Sequence, residues 1–372
     1  MNIYNWQKKN WPNFIYAENE VENELFAITE KSGVVNGMLK AIPEKMQLET
    51  LIDMVVSEAI KTSAIEGEFL SREDVKSSVI KNLGLSSDLP IKDKRAKGVG
   101  ALMIRMRNTF NDHLTAKELF NWHTLLMNYR ADIASGKWRT GNEPMQVISG
   151  RPGKIKVHFE APPAGKVPGE MKKFITWFNE TGPGGKNEIT KAPVRSAIAH
   201  LYFESIHPFE DGNGRVGRVI AEKALSQGLG RPVLLSLSKA IENNKKKYYS
   251  ELGKAQQTLE ITSWIKFFVN TVLLAQTDAE NEISFTLKKV KFFDKYKSQL
   301  NKRQLKIIER MLDEGPQGFK GGMNAGKYAR ICNVSKATAT RDLQYLTEIK
   351  ALLVSGGGRS TSYQVNIDCQ IG

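Results

Sequence analysis

With 372 residues, 41% hydrophobic and 25% charged, the chain has the composition of an ordinary globular protein, not of a disordered, collagenous or membrane-embedded one. Its two cysteines, Cys332 and Cys369, exclude a disulfide framework or a cysteine-bound zinc cluster and fit a reducing compartment. A net charge of +14, from 54 basic and 40 acidic residues, favours a polyanionic partner: a nucleotide, a nucleic acid or an acidic protein surface.

The opening MNIYNWQKKNWPNF has no apolar signal core and no apolar run reaches membrane length, so the expected location is cytoplasmic, without a membrane partner. Apolar residues at helical spacing predict helices in LIDMVVSEAIKTSAIEGEFL (51–70), AKELFNWHTLLMNYR (116–130), APVRSAIAHLYFESI (192–206) and TSWIKFFVNTVLLAQ (262–276). Between them, residues 136–168 are rich in Gly and Pro and hold two β-prone runs, MQVIS and IKVHF, around the turn signal GRPG. That pattern predicts a hairpin at 145–160 inside a mainly α protein. The stretch TGPGGKNE (181–188) reads as a loop.

After about residue 280 the character shifts. TLKKVKFFDKYKSQLNKR (286–303) has seven basic residues against one acidic. A helix (RQLKIIERMLDE), a Gly-rich loop, a short helix (AGKYARIC), the Ser-capped NVSKATATRDLQYLTEIK and two strands in ALLVSGGGRSTSYQVN follow. This is the element order of a winged helix-turn-helix. The expected division is an N-terminal helical region over 1–95, a helical core over 96–280, a basic linker helix over 281–303 and a winged helix-turn-helix domain over 304–372.

Residues 207–218 read HPFEDGNGRVGR, and Gly212, Gly214 and Gly217 match the dinucleotide pattern G-x-G-x-x-G. That reading fails on context. The preceding RSAIAHLYFESI is helical in pattern where a strand is required, and GRPVLLSL, at the expected distance, has no acidic residue. A near-miss phosphate loop, Gly321 to Tyr328, has Tyr328 where a metal-binding hydroxyl belongs and no strand before it, so it reads as a loop feeding a helix.

The same twelve residues suit a different phosphate chemistry. One helix stops at Pro208 and another starts near Gly214, so backbone N–H groups of Gly212, Asn213 and Gly214 sit at a helix N-terminus that attracts phosphate. Arg215 and Arg218, three apart, share a helix face suited to a polyphosphate tail. Asp211 is a hard oxygen ligand for Mg²⁺ beside phosphates. His207 is the nearby residue suited to general base work near neutral pH. His200, seven residues before it, reads as a structural histidine in preference to a metal partner.

HPFEDGNGRVGR resembles the signature of the Fic family at every defined position, and the resemblance extends over roughly 50–275. GKWRT with the following hairpin is similar to the family's flap region, NNKKKYYSEL to its segment beside the nucleotide base, and YNWQKKNWPNF to an extension in a bacterial subgroup. The resemblance implies a Fic-type helical core that transfers AMP from ATP to a Ser, Thr or Tyr hydroxyl of a target protein or of itself, with Mg²⁺. It implies that His207 takes the hydroxyl proton, that Phe209 anchors the loop, and that Asp211 binds Mg²⁺. Gly212, Asn213 and Gly214 would cradle the α- and β-phosphates, Arg215 would meet the β-phosphate side and Arg218 the γ-phosphate. Tyr248 and Tyr249 would border the base. Val147, Ile148, Ser149, Val157, His158 and Phe159 of the hairpin would dock an extended target segment by strand addition. A homodimer is also expected.

TSAIEGE (62–68) fits the family's inhibitory motif at Thr62, Glu66 and Gly67, on a helix expected near 55–68. A Glu66 carboxylate on Arg218 would occupy the guanidinium that the γ-phosphate needs. The alternative role for Glu66 is to orient a water that removes AMP. Residues 301–372 hold 11 basic against 6 acidic residues, with Ser335, Lys336, Thr338, Thr340 and Arg341 near a helix start and Arg359 in the wing. DNA and protein docking both remain open for this segment. A DNA-binding regulator with a nucleotide-sensing core therefore stands beside the transferase, and the intact His207 favours the transferase.

Overall fold

The computed structural model describes residues 3–86, 90–151, 154–316 and 318–368, which leaves Cys369 and the turn residues Pro152 and Gly153 outside the described residues. In chain order the helices are α1 (Glu22–Lys40), α2 (Glu44–Ile65), α3 (Arg72–Asn82), α4 (Lys94–Asn108) and α5 (Ala116–Met127), followed by the hairpin β1 (Gln146–Arg151) and β2 (Lys154–Glu160). Then come α6 (Val167–Glu180), α7 (Ala192–Ile206), α8 (Asn213–Gly228), α9 (Leu237–Asn243), α10 (Lys245–Ala255) and α11 (Thr262–Tyr296). The chain ends in α12 (Lys302–Leu312), α13 (Ala325–Cys332), α14 (Lys336–Glu348), β3 (Leu352–Ser355) and β4 (Ser362–Val365). No helix among the described residues is long and apolar enough to cross a membrane.

The chain divides into two compact units, residues 1–33 with 51–277, and residues 34–50 with 278–372. In the first, α7 and α8 form the centre. Every residue of α7 is buried, and Asn213 and Arg215 through Gln227 of α8 are buried too. A helix without a wet face belongs inside a larger helical body. Its charges therefore need internal partners. Arg195 donates to Phe178 O at 2.7 Å and Gln227 Oε1 at 3.0 Å, and its plane lies 4.5 Å from the Phe178 ring. Around this pair pack Val99, Leu102, Trp122, Phe174 and Phe203.

Two elements differ from expectation. The helix expected near 55–68 is the end of α2 and stops at Ile65, short of 68, because Gly67 takes a left-handed φ of 84°. The Gly67 and Glu68 N–H groups then bond back to Ala64 O and Ser63 O, both at 3.0 Å, a Schellman termination. The basic stretch after 281 is not an element of its own: α11 continues through it to Tyr296. The hairpin falls where the β-prone runs place it, with a bulge between Val147 and Ile148.

In the second unit, α12, α13 and α14 start on side-chain caps from Asn301, Asn324 and Ser335. Asn333 turns the chain between α13 and α14 at a φ of 52°. Buried Asp342 accepts from Tyr328 Oη at 2.8 Å and from Gln304 Nε2 and Arg303 Nε, both at 3.2 Å. The 321–328 loop feeds α13: Lys327 Nζ donates to Gly322 O at 2.7 Å, and Tyr328 is buried.

Two buried carboxylates tie α2 to the start of α9 and α8 to α4 in the first unit. Glu58 accepts from Ser236 Oγ at 2.7 Å and Ser238 N at 2.9 Å, while Glu222 has Arg107 at 3.5 Å. Burial, with Glu58 nearby, pushes Glu222 up to about 8 against the pull of Arg107. A carboxyl raised in the folded state favours folding at low pH, and that contribution is lost as pH rises through the folded value. Glu222→Gln should therefore melt higher than wild type by a margin that grows between about pH 5 and about pH 8. Melting curves at both pH values check this, and an equal margin would show that Glu222 ionises as an ordinary carboxyl.

Candidate active site

The turn between α7 and α8 is built to hold His207 in one place. His207 caps α7 in a left-handed conformation, φ 50° and ψ 62°, which a non-glycine residue adopts only under outside constraint. The constraint comes from Arg139. Its Nε donates to His207 O at 2.8 Å, its Nη2 to Pro162 O, and its backbone N–H to Pro208 O at 2.9 Å. Phe209 is fully buried and stacks on His123 with ring centroids 4.0 Å apart. His123 Nδ1 accepts from Gly136 N at 2.9 Å, so Nε2 carries the proton and donates to Asp211 O at 3.1 Å. Asn213 closes the turn: its Oδ1 accepts from Phe209 N at 2.9 Å and its Nδ2 donates to Phe209 O at 2.8 Å.

The Schellman turn aims two carboxylates at α8. Glu66 Oε1 accepts from Arg218 Nη2 at 2.7 Å, and Thr62 accepts twice more from the guanidinium, at Oγ1 from Nε and at O from Nη2, both at 2.8 Å. Arg218 is 1% exposed, and although burial works against its charge, Glu66 raises it above its ordinary value. Gly214 makes room, since a Cβ there would lie 2.3 Å from Glu66 Oε1. Glu68 reaches Arg215 Nη1 at 2.9 Å and also accepts from Tyr129 Oη at 2.7 Å.

These parts face a cleft of about 950 Å³. Glu66, His207, Asp211, Gly212, Asn213, Gly214 and Arg218 line it on one side, Tyr248 and Tyr249 on another, and hairpin residues Val147, Ile148, Val157, His158 and Phe159 on a third. The Ser149 side chain lies outside the described residues. Val147, Ile148 and Val157 are exposed, whereas Phe159 is 2% exposed and sits edge-on to Tyr4 at 5.0 Å, anchoring the hairpin base. Tyr248 is buried with its hydroxyl 2.8 Å from His200 Nε2, and Tyr249 is 42% exposed.

A family model described as Fic/DOC family matches residues 113–225. The chain carries a Fic/DOC family domain. A second family model, "Domain of unknown function (DUF4172)", matches residues 4–85. A relative named "Probable protein adenylyltransferase" from Aquifex aeolicus is 28% identical over 163 residues, 41% of this chain and 47% of its own. "Protein adenylyltransferase Fic" from Culex quinquefasciatus is 26% identical over 55% of this chain and 38% of its own. The chain thus spans less than half the length of these curated relatives. Solved structures share the fold. A Fic family protein from Desulfovibrio desulfuricans G20 aligns with a TM-score of 0.53 at 21% identity over 95% of this chain and 98% of that one. A Fic domain containing signaling protein from Bacteroides thetaiotaomicron aligns at 0.53 and 18% identity over 71% and 97%.

Two residues of the Fic/DOC domain, Arg215 and Asn213, behave differently from the sequence reading, and two others, His123 and Arg139, were missed by it. Arg215 does not reach the cleft wall: it is 2% exposed and held by Glu68 and by Met127 Sδ at 3.4 Å. The Asn213 side chain is spent on the turn, which leaves its backbone for a phosphate. His123 and Arg139 hold the loop, yet only the GKWRT context pointed to Arg139, and His123 stood in an unremarkable helix. Asp211 suits a single-carboxylate Mg²⁺ site shared with phosphates: its side chain is 43% exposed in the cleft, with Arg130 the cation now nearest at 3.3 Å. Asn213→Ala should destabilise the protein by about 2–4 kcal/mol, because it strands the buried Phe209 N–H and C=O. Urea unfolding of the variant measures it, and a loss below about 0.5 kcal/mol would mean the turn holds without the brace.

Proposed function

We propose that the chain is a protein adenylyltransferase that transfers AMP from ATP to a hydroxyl of a protein target, restrained by Glu66. The observation that carries this reading is the Glu66–Arg218 pair beside His207 and the N-terminus of α8, all in one cleft. The names of the relatives support the same chemistry. The triphosphate would lie along the first turn of α8, whose N–H groups lack intrahelical partners, with the base beside Tyr248 and Tyr249. A target segment would pair with the hairpin and bring its hydroxyl to His207. His207 Nε2 takes the hydroxyl proton as the oxygen attacks the α-phosphorus. The new O–P bond forms, the bond from the α-phosphorus to the bridging oxygen breaks, and pyrophosphate leaves. Mg²⁺ held by Asp211 would supply charge neutralisation to the phosphates.

Arg218 is the cation positioned for the γ-phosphate, and Glu66 now fills that place. With Glu66 in position, the triphosphate would bind with its α-phosphorus misaligned, and a misplacement of about 1 Å costs about a hundredfold in rate. Glu66→Gly should therefore raise AMP incorporation by one to two orders of magnitude, read with α-phosphate-labelled ATP, while His207→Ala abolishes it. The same Glu66→Gly change should lower the melting temperature without ATP, since Arg218 stays buried. The cost falls below the roughly 3–5 kcal/mol of a fully buried pair, because Glu66 is 29% exposed. No label in Glu66→Gly with Mg²⁺ and ATP would sink the transferase reading.

For residues 304–372 we infer a winged helix-turn-helix that docks DNA. Ser335, Lys336, Thr340 and Arg341 are exposed on α14, opposite buried Ala339, Leu343 and Leu346. The Arg359 side chain lies outside the described residues. Duplex binding by the full chain should weaken steeply with salt. Absence of binding at low salt would leave protein docking as the role of this domain.

A further inference from the structure

We propose that Glu204 is the positioning residue for His207: its carboxylate holds the imidazole with Nδ1 turned into the protein and Nε2 toward the cleft. The proposal rests on the reading of His207 as the base in AMP transfer.

Glu204 lies three residues before His207 on α7, and its Oε2 is 3.6 Å from His207 Nδ1. Both groups are shut away from water, with side chains 6% and 15% exposed. His207 Nδ1 and Glu204 Oε1 are buried and have no hydrogen-bond partner among the described residues. A buried, unpaired imidazole nitrogen 3.6 Å from one oxygen of a carboxylate whose other oxygen is also unpaired calls for a common explanation. The separation is long for a hydrogen bond, but such contacts commonly tighten only in the substrate complex. Burial pushes the Glu204 carboxyl up, yet the neighbouring His207, together with His200 and Arg218, outweighs it and holds the carboxyl below its usual range. The carboxylate is thus ionised in a dry place, where a charge persists only with a purpose or a partner.

The neighbouring helix is shaped around this carboxylate. A Cβ on Gly217 would lie 2.3 Å from Glu204 Oε1 and 3.2 Å from His200 Cε1. Gly217 therefore sits in mid-helix, where glycine weakens a helix, because Glu204 needs the space. His200, bonded to Tyr248, closes the far side.

The chemistry follows from which nitrogen is free. With Nδ1–H directed at Glu204, Nε2 carries the lone pair that accepts the hydroxyl proton. As Nε2 is protonated, the ring becomes cationic beside a fixed anion, which stabilises it while the oxygen–phosphorus bond forms. Glu204 keeps its charge and takes no proton, as in other carboxylate–histidine pairs.

The test uses the full chain in the Glu66→Gly background with Mg²⁺ and ATP. Glu204→Gln keeps the shape and removes the charge. It should lower kcat for AMP transfer by about tenfold to about a thousandfold and leave KM for ATP within about twofold, the split expected of a group that acts on a base and not on binding. Gly217→Ala, which displaces the carboxylate without altering it, should shift kcat in the same direction. An unchanged kcat in Glu204→Gln, or a raised KM alone, overturns the proposal. Two-bond nitrogen–proton NMR correlations of the imidazole rings provide a readout that does not depend on transfer. Neutral His207 should be the Nδ1–H tautomer in wild type and gain Nε2–H character in Glu204→Gln. If Glu66→Gly is inert in transfer, the adenylyltransferase reading fails by itself, and the NMR result still decides: a predominantly Nε2–H tautomer in wild type overturns the role of Glu204.

Discussion

The structure depends on the buried guanidinium of Arg218. A charge in the middle of a helical core has to be surrounded by acceptors, and here they come from one place, the last turn of α2 and the residue after it. That requirement determines where α2 ends and why Gly67 must be left-handed, so that Glu66 turns inward. It also dictates the glycine at 214, since any side chain there would collide with Glu66. The contact that completes the fold around Arg218 occupies the cation that, on the proposed function, a triphosphate would use.

The second constraint is the short turn between two fully buried helices. Six residues must reverse the chain, present His207 and leave a helix N-terminus open to the cleft. The turn does this with strain at His207 offset by Arg139, the Phe209–His123 stack and the Asn213 brace. The N-terminal segment buttresses the same region from behind. Asn5 Nδ2 donates to Ser205 Oγ at 2.8 Å, Trp6 Nε1 to Glu160 O at 2.8 Å, and Trp11 packs edge-on to Tyr202 at 5.0 Å. Tyr4 does the same for Phe159 at the hairpin base. A segment that reads as a polar, aromatic opening in the sequence is therefore part of the wall behind the site.

The residues that line the cleft and those that brace the turn overlap only in part. His207, Asp211, Gly214 and Arg218 line the cleft, and so do Asn213 and Glu204, whereas Arg139 and His123 brace the turn from outside that lining. Glu68 belongs to the second set, since it keeps Arg215 against Met127 and away from the cleft. In the second unit, Asp342 has an equivalent structural task, joining Tyr328, Gln304 and Arg303 at the centre of three helices.

The sequence alone determined the local elements and the chemistry of the turn. The apolar spacing of residues 192–206, the stop at Pro208, the two β-prone runs and the serine cap before α14 are short-range signals, and short-range physics reads them. The likeness of HPFEDGNGRVGR to the Fic signature also carried the pairing of Glu66 with Arg218, because that long motif gives TSAIEGE a context the short stretch lacks by itself. Only the tertiary structure decided what long-range burial decides. It turned Arg215 onto Glu68, spent the Asn213 amide on Phe209, ended α2 at Ile65 and ran α11 through a stretch that reads as a linker. It also brought Arg139 to the His207 carbonyl and set Glu204 and Gly217 against each other. No periodicity marks such residues, because a buried polar group is defined by the partner that folding brings to it.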